Sequence, residues 1–323
     1  KMKMGLVGCG PIGHCRHLPA FARRDDIDVV AVCDIDPAKA DATAEAFNVA
    51  AYHSLDAMLE AETFDILDVA TNERVRPAPL IQCLKTGAHV FTEKPLVGRL
   101  GQMNLQGSDL EEAKRIIDTW RRTNQGFGIN FNYRTLEHTN ILKKAIDEGR
   151  LGEPVMMNGV THFHCWSHVI DLMRWFNGDV AELSSTYAGP EENPDRTAWL
   201  RFANGSIGSL VGTARMTPPS RGIHSMEMEF IGTEAKARLT GLCSKLVLYP
   251  VNGEPEVLWE TDYDDMMKRF SEAFDRTIQA FCDAVAAGRQ PPVTGLDGFR
   301  EAEIDCGMQV SAETGQPRRV ELY

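Results

Sequence analysis

The sequence predicts an α/β protein in two parts. The first, residues 1–127, reads as a doubly wound parallel sheet, and the second, residues 128–323, as a further α/β part with a large, mostly antiparallel open sheet. Three observations carry this. Apolar runs alternate with helix-like stretches through the first third, which implies parallel pairing through helical crossovers. A glycine-rich turn joins the first apolar run to the first helix. From about Glu153 onward, strand-like runs follow one another through short turns, the pattern of an antiparallel sheet.

The elements follow in order. Met4 to Gly8 is a short apolar run ending in glycine, and Pro11 to Arg24 reads as a helix. Val29 to Cys33 is wholly apolar, as expected of a strand buried on both faces. Pro37 to Phe47 is rich in Ala, Lys, Asp and Glu, with Pro37 suited to a first helical turn. Phe64 to Thr71 reads as strand, Pro77 to Thr86 as helix stopped by Gly87, and Ala88 to Thr92 as strand. Leu110, Ala113, Ile116, Ile117 and Trp120 repeat at helical spacing within Asp109–Thr123. The second part offers strand-like runs at Pro154–Phe163, Val180–Ala188, Thr197–Phe202, Ser206–Thr213, Met226–Ile231, Lys245–Pro250 and Val257–Trp259. Asn204-Gly205 between two of them is a strong hairpin signal. Phe270, Phe274, Ile278, Phe281 and Val285 mark a late helix that ends at Gly288.

Composition excludes several classes. The chain has 323 residues, 43% of them hydrophobic, enough for a large core and about two domains. Its net charge is -12 and no run of Lys or Arg exceeds two residues, which argues against a nucleic-acid partner. Mean hydropathy is -0.26 and no apolar run approaches the roughly 20 residues of a membrane span. The eight cysteines include no Cys-x-x-Cys pair, and several sit inside apolar runs. They read as reduced, mostly buried thiols of a cytoplasmic protein, and no signal peptide is read before the first strand-like run.

Gly8-Cys9-Gly10-Pro11-Ile12-Gly13 fits G-x-G-x-x-G between a strand and a helix. The first glycine serves the tight turn, the second lets backbone approach a pyrophosphate at the helix N-terminus, and the third allows close helix–strand packing. Asp34 ends the second strand 21 residues after Gly13, where an acid bonds the adenosine ribose hydroxyls. A helix N-cap before Pro37 is the structural alternative for Asp34. A carboxylate there repels a 2′-phosphate and Ile35 offers no compensating charge, so NAD is expected as cofactor and NADP is less favoured.

Glu93-Lys94-Pro95 places a charged pair at the C-terminal end of a buried strand, the edge where ligands bind in an open parallel sheet. Lys94 there can orient a substrate hydroxyl, polarise a carbonyl or join a proton relay. A surface Lys–Glu pair of little energetic consequence is the equally weighted alternative.

Taken together, the order G-x-G-x-x-G, Asp34, Glu93-Lys94-Pro95 and an antiparallel second half resembles the Gfo/Idh/MocA family of oxidoreductases, over essentially the whole chain. Thr71-Asn72, Asn132-Tyr133-Arg134, Gly149 to Pro154 and Asp171 to Gly178 fit as well. The resemblance implies an N-terminal Rossmann domain and a C-terminal α/β domain whose open sheet forms a homodimer or homotetramer interface. It also implies a cis Lys94–Pro95 bond. Cofactor contacts are expected from Gly8, Gly10, Pro11, Ile12, Gly13, Asp34, Ile35, Thr71, Asn72, Glu93 and Lys94.

Thr161 to Asp171 holds His162, His164 and His168. A helix starting near Cys165 would set His164, His168 and Asp171 on or near one face. By resemblance, His168 takes the place of the family's general base, and a neutral imidazole suits that task. The family usually carries aspartate where this chain has His164, so an altered proton relay, a different substrate or lost chemistry is in view. Asp171 reads as structural first. The three histidines and Cys165 invite a metal reading, but a polar wall without metal is preferred. Two further departures stand out: the Thr71 turn lacks the family's usual proline and histidine, and Gly98–Ser108 reads as an insertion, either a surface loop or a lid or subunit contact near the site.

The expected activity is hydride transfer between NAD and a secondary alcohol or ketone of a sugar, sugar derivative or cyclitol, with Lys94, His168 and His164 as catalytic candidates. Tyr133, Arg134 and Trp166 are candidate substrate contacts, with pairing to a structural acid as the alternative for Arg134. Trp175 reads as core. The rival readings are a transient-redox lyase or glycosidase with tightly held NAD, and a non-catalytic dinucleotide-binding regulator.

Overall fold

A computed structural model describes residues 1–102, 104–189, 195–213 and 226–323. These form two compact units. The first comprises residues 1–99, 108–131 and 274–299, and the second residues 100–107, 132–273 and 300–323.

The first unit carries a six-stranded parallel sheet in the order β3-β2-β1-β4-β5-β6. Its strands are β1 Met2–Val7, β2 Ile27–Cys33, β3 Ala50–Tyr52, β4 Ile66–Val69, β5 His89–Thr92 and β6 Phe127–Ile129. The chain reverses direction of travel between β1 and β4, which makes the C-terminal ends of those strands the topological switch point. The helices are α1, which opens with a wide π turn at Gly13–His17 and continues through Leu18–Ala22, then α2 Pro37–Phe47, α3 Leu55–Ala61, α4 Pro77–Leu84 and α5 Asp109–Arg121. β4 is buried at every position because helices cover both faces of the sheet. Met4, Leu6, Leu18, Phe21, Val32, Ile66 and Phe91 form its core together with Ile278, Phe281 and Val285.

That last contribution corrects a division into two consecutive pieces at residues 127 and 128. The apolar stripe Ile278, Phe281, Val285 packs into the first unit's core, so residues 274–299 belong to that unit although they follow the second sheet in sequence.

The second unit carries nine strands in the order β14-β13-β12-β11-β7-β10-β9-β8-β15. They are β7 Pro154–His162, β8 Val180–Ala188, β9 Asp195–Phe202, β10 Ile207–Thr213, β11 Met226–Gly232, β12 Ala235–Thr240, β13 Lys245–Pro250, β14 Glu256–Glu260 and β15 Arg318–Arg319. Every pairing is antiparallel except β7 with β10, which is parallel. Asn204-Gly205 turns β9 into β10, with Gly205 at φ +89. Burial alternates along β9 and β10, so one face of the sheet packs on the unit's helices and the other faces outward. Helices α6 Glu137–Asp147 and α7 Trp166–Asn177 precede most of the sheet, and α8 Tyr263–Ala286 and α9 Gly295–Thr314 follow it.

Several elements escape the sequence reading: β3, α3, β6, α6, β12, β15 and α9. The three-residue strands β3 and β6 are too short to show a period. In α9 the pattern is masked because Glu301, Glu303 and Asp305 are buried among its apolar residues.

Among the described residues no helix is long and apolar enough to cross a membrane. All eight cysteines are free, seven of them buried, and Cys15 is exposed. Of the expected insertion Gly98–Ser108, Met103 lies outside the described residues.

Candidate active site

The glycine turn is built as its sequence demands. Gly8 follows β1 with φ +102, and a methyl placed on it would lie 2.8 Å from the Thr71 amide nitrogen. A methyl on Gly13 would lie 2.2 Å from the Gly8 carbonyl oxygen, so the turn closes only with glycine there. Gly10 differs: nothing lies within 4 Å of where its Cβ would be. The open space lies at the start of α1 beside exposed Pro11 and Ile12, which suits a diphosphate approaching backbone and helix N-terminus.

Asp34 is tied to this turn. Its Oδ2 accepts from the Cys9 amide at 2.8 Å and its Oδ1 from the Asp36 amide at 2.9 Å. The α2 N-cap is Asp36, whose side chain accepts from Ala38, so the capping alternative for Asp34 is overturned. Ile35 beside it is 89% exposed. Thr71 follows β4, and its Oγ1 is buried with no hydrogen-bond partner among the described residues. Asn72 is exposed and turns the chain by accepting from the Arg74 amide. The orphaned hydroxyl and the open Gly10 both fit a dinucleotide, which these residues would hold.

Lys94 stands just past the end of β5, partly exposed, and the Lys94–Pro95 bond is cis. Its amide donates to Glu93 Oε2 at 3.0 Å. Glu93 is buried, and its Oε1 meets His17 Nε2 at 2.9 Å and Asn130 Nδ2 at 2.6 Å. The other nitrogen of His17 meets Asp68 Oδ2 at 2.9 Å. Burial opposes charge on all three of these groups. Asp68 and Glu93 nevertheless outweigh it at His17 and push the imidazole up to about 10, so it is an imidazolium at neutral pH. Glu93 is held below the usual carboxylate range despite burial, by His17, Asn130 and Lys94. Asp68 stays above that range because burial outweighs its contact with His17. Arg76, also buried, donates to the carbonyls of Thr71, Glu93 and Pro95 and so links the two turns.

His17, Asp68, Arg76 and Asn130 were missed from sequence. A signal existed: Asp68 is a lone charge inside the apolar run Ile66–Ala70, and a charge in a strand buried on both faces calls for a partner.

In the second unit, His168 lies in the first turns of α7, buried, with its ring stacked on Tyr133 at 3.7 Å between centroids and 3° between planes. Tyr133 is itself buried, and its hydroxyl meets Cys165 Sγ at 3.2 Å. Its ring packs on His168, and a place as an open substrate contact does not suit that burial. Arg134 makes a two-point pair with Asp171, Nε to Oδ2 at 2.8 Å and Nη2 to Oδ1 at 2.5 Å, and its guanidinium lies over Trp175. The structural-acid alternative for Arg134 is thereby realised. Trp166 is only 1% exposed, with its ring against Gly212 and Arg196, which corrects its assignment as a sugar-stacking surface. Trp175 is partly buried against the second unit's core.

The helix expected from about Cys165, with His164, His168 and Asp171 on or near one face, begins at Trp166, and His164 lies in the 3-10 turn Phe163–Cys165 that precedes it. His164 is exposed and stacks on His162 at 5.0 Å, and its amide donates to His162 Nδ1. Among the described residues no three His, Cys, Asp or Glu side chains are grouped to hold a metal.

Comparison with known proteins decides the family. Residues 2–131 match the model of the oxidoreductase family's NAD-binding Rossmann fold, and residues 159–322 match its C-terminal alpha/beta domain. The chain belongs to the Gfo/Idh/MocA family. It is thus an oxidoreductase of an NAD-binding family, with sugar and inositol dehydrogenases among its relatives. It is 25% identical to inositol 2-dehydrogenase of Salmonella typhimurium, over 99% of this chain and 97% of that protein. Two solved structures share the fold. An oxidoreductase from Agrobacterium radiobacter in complex with NAD+, L-tartaric acid and magnesium superposes with TM-score 0.84 at 18% identity, over 99% of this chain and 98% of that one. The WlbA dehydrogenase from Bordetella pertussis in complex with NADH and UDP-GlcNAcA superposes with TM-score 0.83 at 22% identity, over 100% and 99%.

Proposed function

We propose that this family member is an NAD-dependent dehydrogenase acting on a secondary alcohol or ketone of a sugar, sugar derivative or cyclitol. One observation carries the reading: the turn opened by Gly10, the ribose-side Asp34 and the lysine turn at Lys94 all belong to one compact unit, at the C-terminal ends of its parallel strands. The relatives' names support the substrate class, an inositol 2-dehydrogenase for one and a dehydrogenase in complex with UDP-GlcNAcA for another.

Bound NAD supplies the hydride acceptor. Lys94 holds the substrate oxygen and balances its charge as the carbonyl forms. His168 takes the hydroxyl proton on an imidazole nitrogen, with Tyr133 fixing the plane of its ring. His164, exposed beside His162, is kept as a relay candidate that passes the proton to water. Asp34 with Ile35 favours NAD over NADP. The outward face of the second unit's sheet, where Val160 and Trp199 are more than a third exposed, supports a homodimer or homotetramer, and a cytoplasmic setting suits eight free thiols.

The test is absorbance of reduced nicotinamide with NAD and NADP against aldoses, glycosides, sugar acids and inositols, beside Lys94→Ala and His168→Ala. Reduction with NAD, lowered by roughly 10²–10⁴ in His168→Ala, is expected. Silence over the panel while NAD binds in calorimetry would refute a net dehydrogenase and favour transient redox or a regulator.

A further inference from the structure

His17, Asp68 and Glu93 form a buried group that reaches Lys94 through the Glu93 carboxylate. We propose that His17 is a positioning residue for Lys94: it clamps the Glu93 carboxylate, and Glu93 clamps the turn that carries the lysine. The catalytic consequence rests on the dehydrogenase reading.

The geometry leaves Glu93 little freedom. His17 Nε2 and Asn130 Nδ2 hold Oε1 at 2.9 and 2.6 Å, and Oε2 receives the Lys94 amide at 3.0 Å. His17 is fixed at its other nitrogen by Asp68. Asp68 lies in β4, Glu93 follows β5 and Asn130 follows β6, so the imidazolium bridges the first two and Glu93 carries the link on to the third of these neighbouring strands. Arg76 holds the Glu93 and Pro95 carbonyls, which fixes the same turn by its backbone. His17 itself closes the wide π turn of α1, and such turns re-aim a side chain at functional sites. Phe91 and Phe274 line the ring at 5.4 and 6.4 Å and keep water out. The charged groups facing this site are Asp68, Glu93, Arg76 and Lys94, with Arg16 over the Phe274 ring. Apolar side chains of the same volume would fill this space without desolvating three charges, so the arrangement serves orientation.

The experiment compares wild type with His17→Gln and with Asp68→Asn, which retains the imidazole while removing one of its two carboxylate partners. Hydrogen exchange at the Lys94 amide is expected to quicken about tenfold or more in His17→Gln, while Val32 and Val90 amides keep their protection. With myo-inositol or whichever polyol wild type oxidises, kcat is expected to fall roughly ten- to a hundredfold, with KM and NAD affinity within about twofold. In a Lys94→Ala background, His17→Gln adds no further loss, as residues acting through one another require. The proposal is overturned by unchanged Lys94 exchange in both variants, by unchanged kcat in an active enzyme, or by losses that add with Lys94→Ala. If wild type oxidises no polyol, the functional reading fails on its own and the exchange measurement alone decides whether His17 holds the turn.

Discussion

Alanine at Gly10 separates folding from cofactor binding. Nothing lies within 4 Å of the Gly10 Cβ position, and its φ is outside the left-handed region, so Gly10→Ala costs the fold within about 0.5 kcal/mol. On the proposed reading, the added methyl instead occupies the space a pyrophosphate would take. Overpacking of that kind costs about 1–3 kcal/mol, which is roughly a 5- to 150-fold rise in the NAD dissociation constant. Gly13→Ala is the control with the opposite signature: its methyl meets the Gly8 carbonyl at 2.2 Å, and backbone cannot swing aside as a side chain does. That variant loses about 1–3 kcal/mol of stability before any ligand is added. Urea unfolding and NAD calorimetry on both variants provide the readout. An unchanged NAD affinity in Gly10→Ala, with the protein folded, would refute the placement of the diphosphate.

Three other outcomes follow from the same geometry. Asp34→Ser with Ile35→Arg removes the repulsion of a 2′-phosphate and adds a cation, and the ratio of NADP to NAD affinity is expected to rise about tenfold or more in calorimetry. Asp171→Ala leaves the buried Arg134 guanidinium without its two-point carboxylate and is expected to lower stability by about 3–5 kcal/mol in urea unfolding; a loss below about 1 kcal/mol would show that the pair does not hold the unit together. His17 is raised from 6.5 to about 10, so its stabilising imidazolium is fully present below pH 6.5 and is lost as pH rises through about 10. The urea midpoint of wild type should therefore fall more steeply between pH 7 and 10 than that of His17→Gln, and parallel curves would contradict an ionised His17.

Much of the site is written locally. A glycine turn between strand and helix, an acid at the end of the next strand and a Glu-Lys-Pro at the end of another are each set by residues adjacent in sequence, and each stands at its expected place in the first unit. The second unit was less legible. Trp166 and Tyr133 carry polar handles on aromatic rings, and sequence cannot tell a ring that faces substrate from one that fills a core. His164 and His168 have helical spacing, yet His164 is exposed beside His162 while His168 is buried on Tyr133.

The sequence by itself determined the fold class and the places of the glycine turn, Asp34 and the lysine turn, because these depend on short-range backbone conformation and on the alternation of apolar runs. Only the tertiary structure decided that residues 274–299 belong with the first sheet, that β7 and β10 run parallel, and that His17, Asp68, Glu93 and Asn130 meet. The physical reason is that a buried charge is stable only beside a partner: Asp68 lies in β4, Glu93 just past β5 and His17 in the first helix, so their meeting depends on chain packing and on no spacing in the sequence.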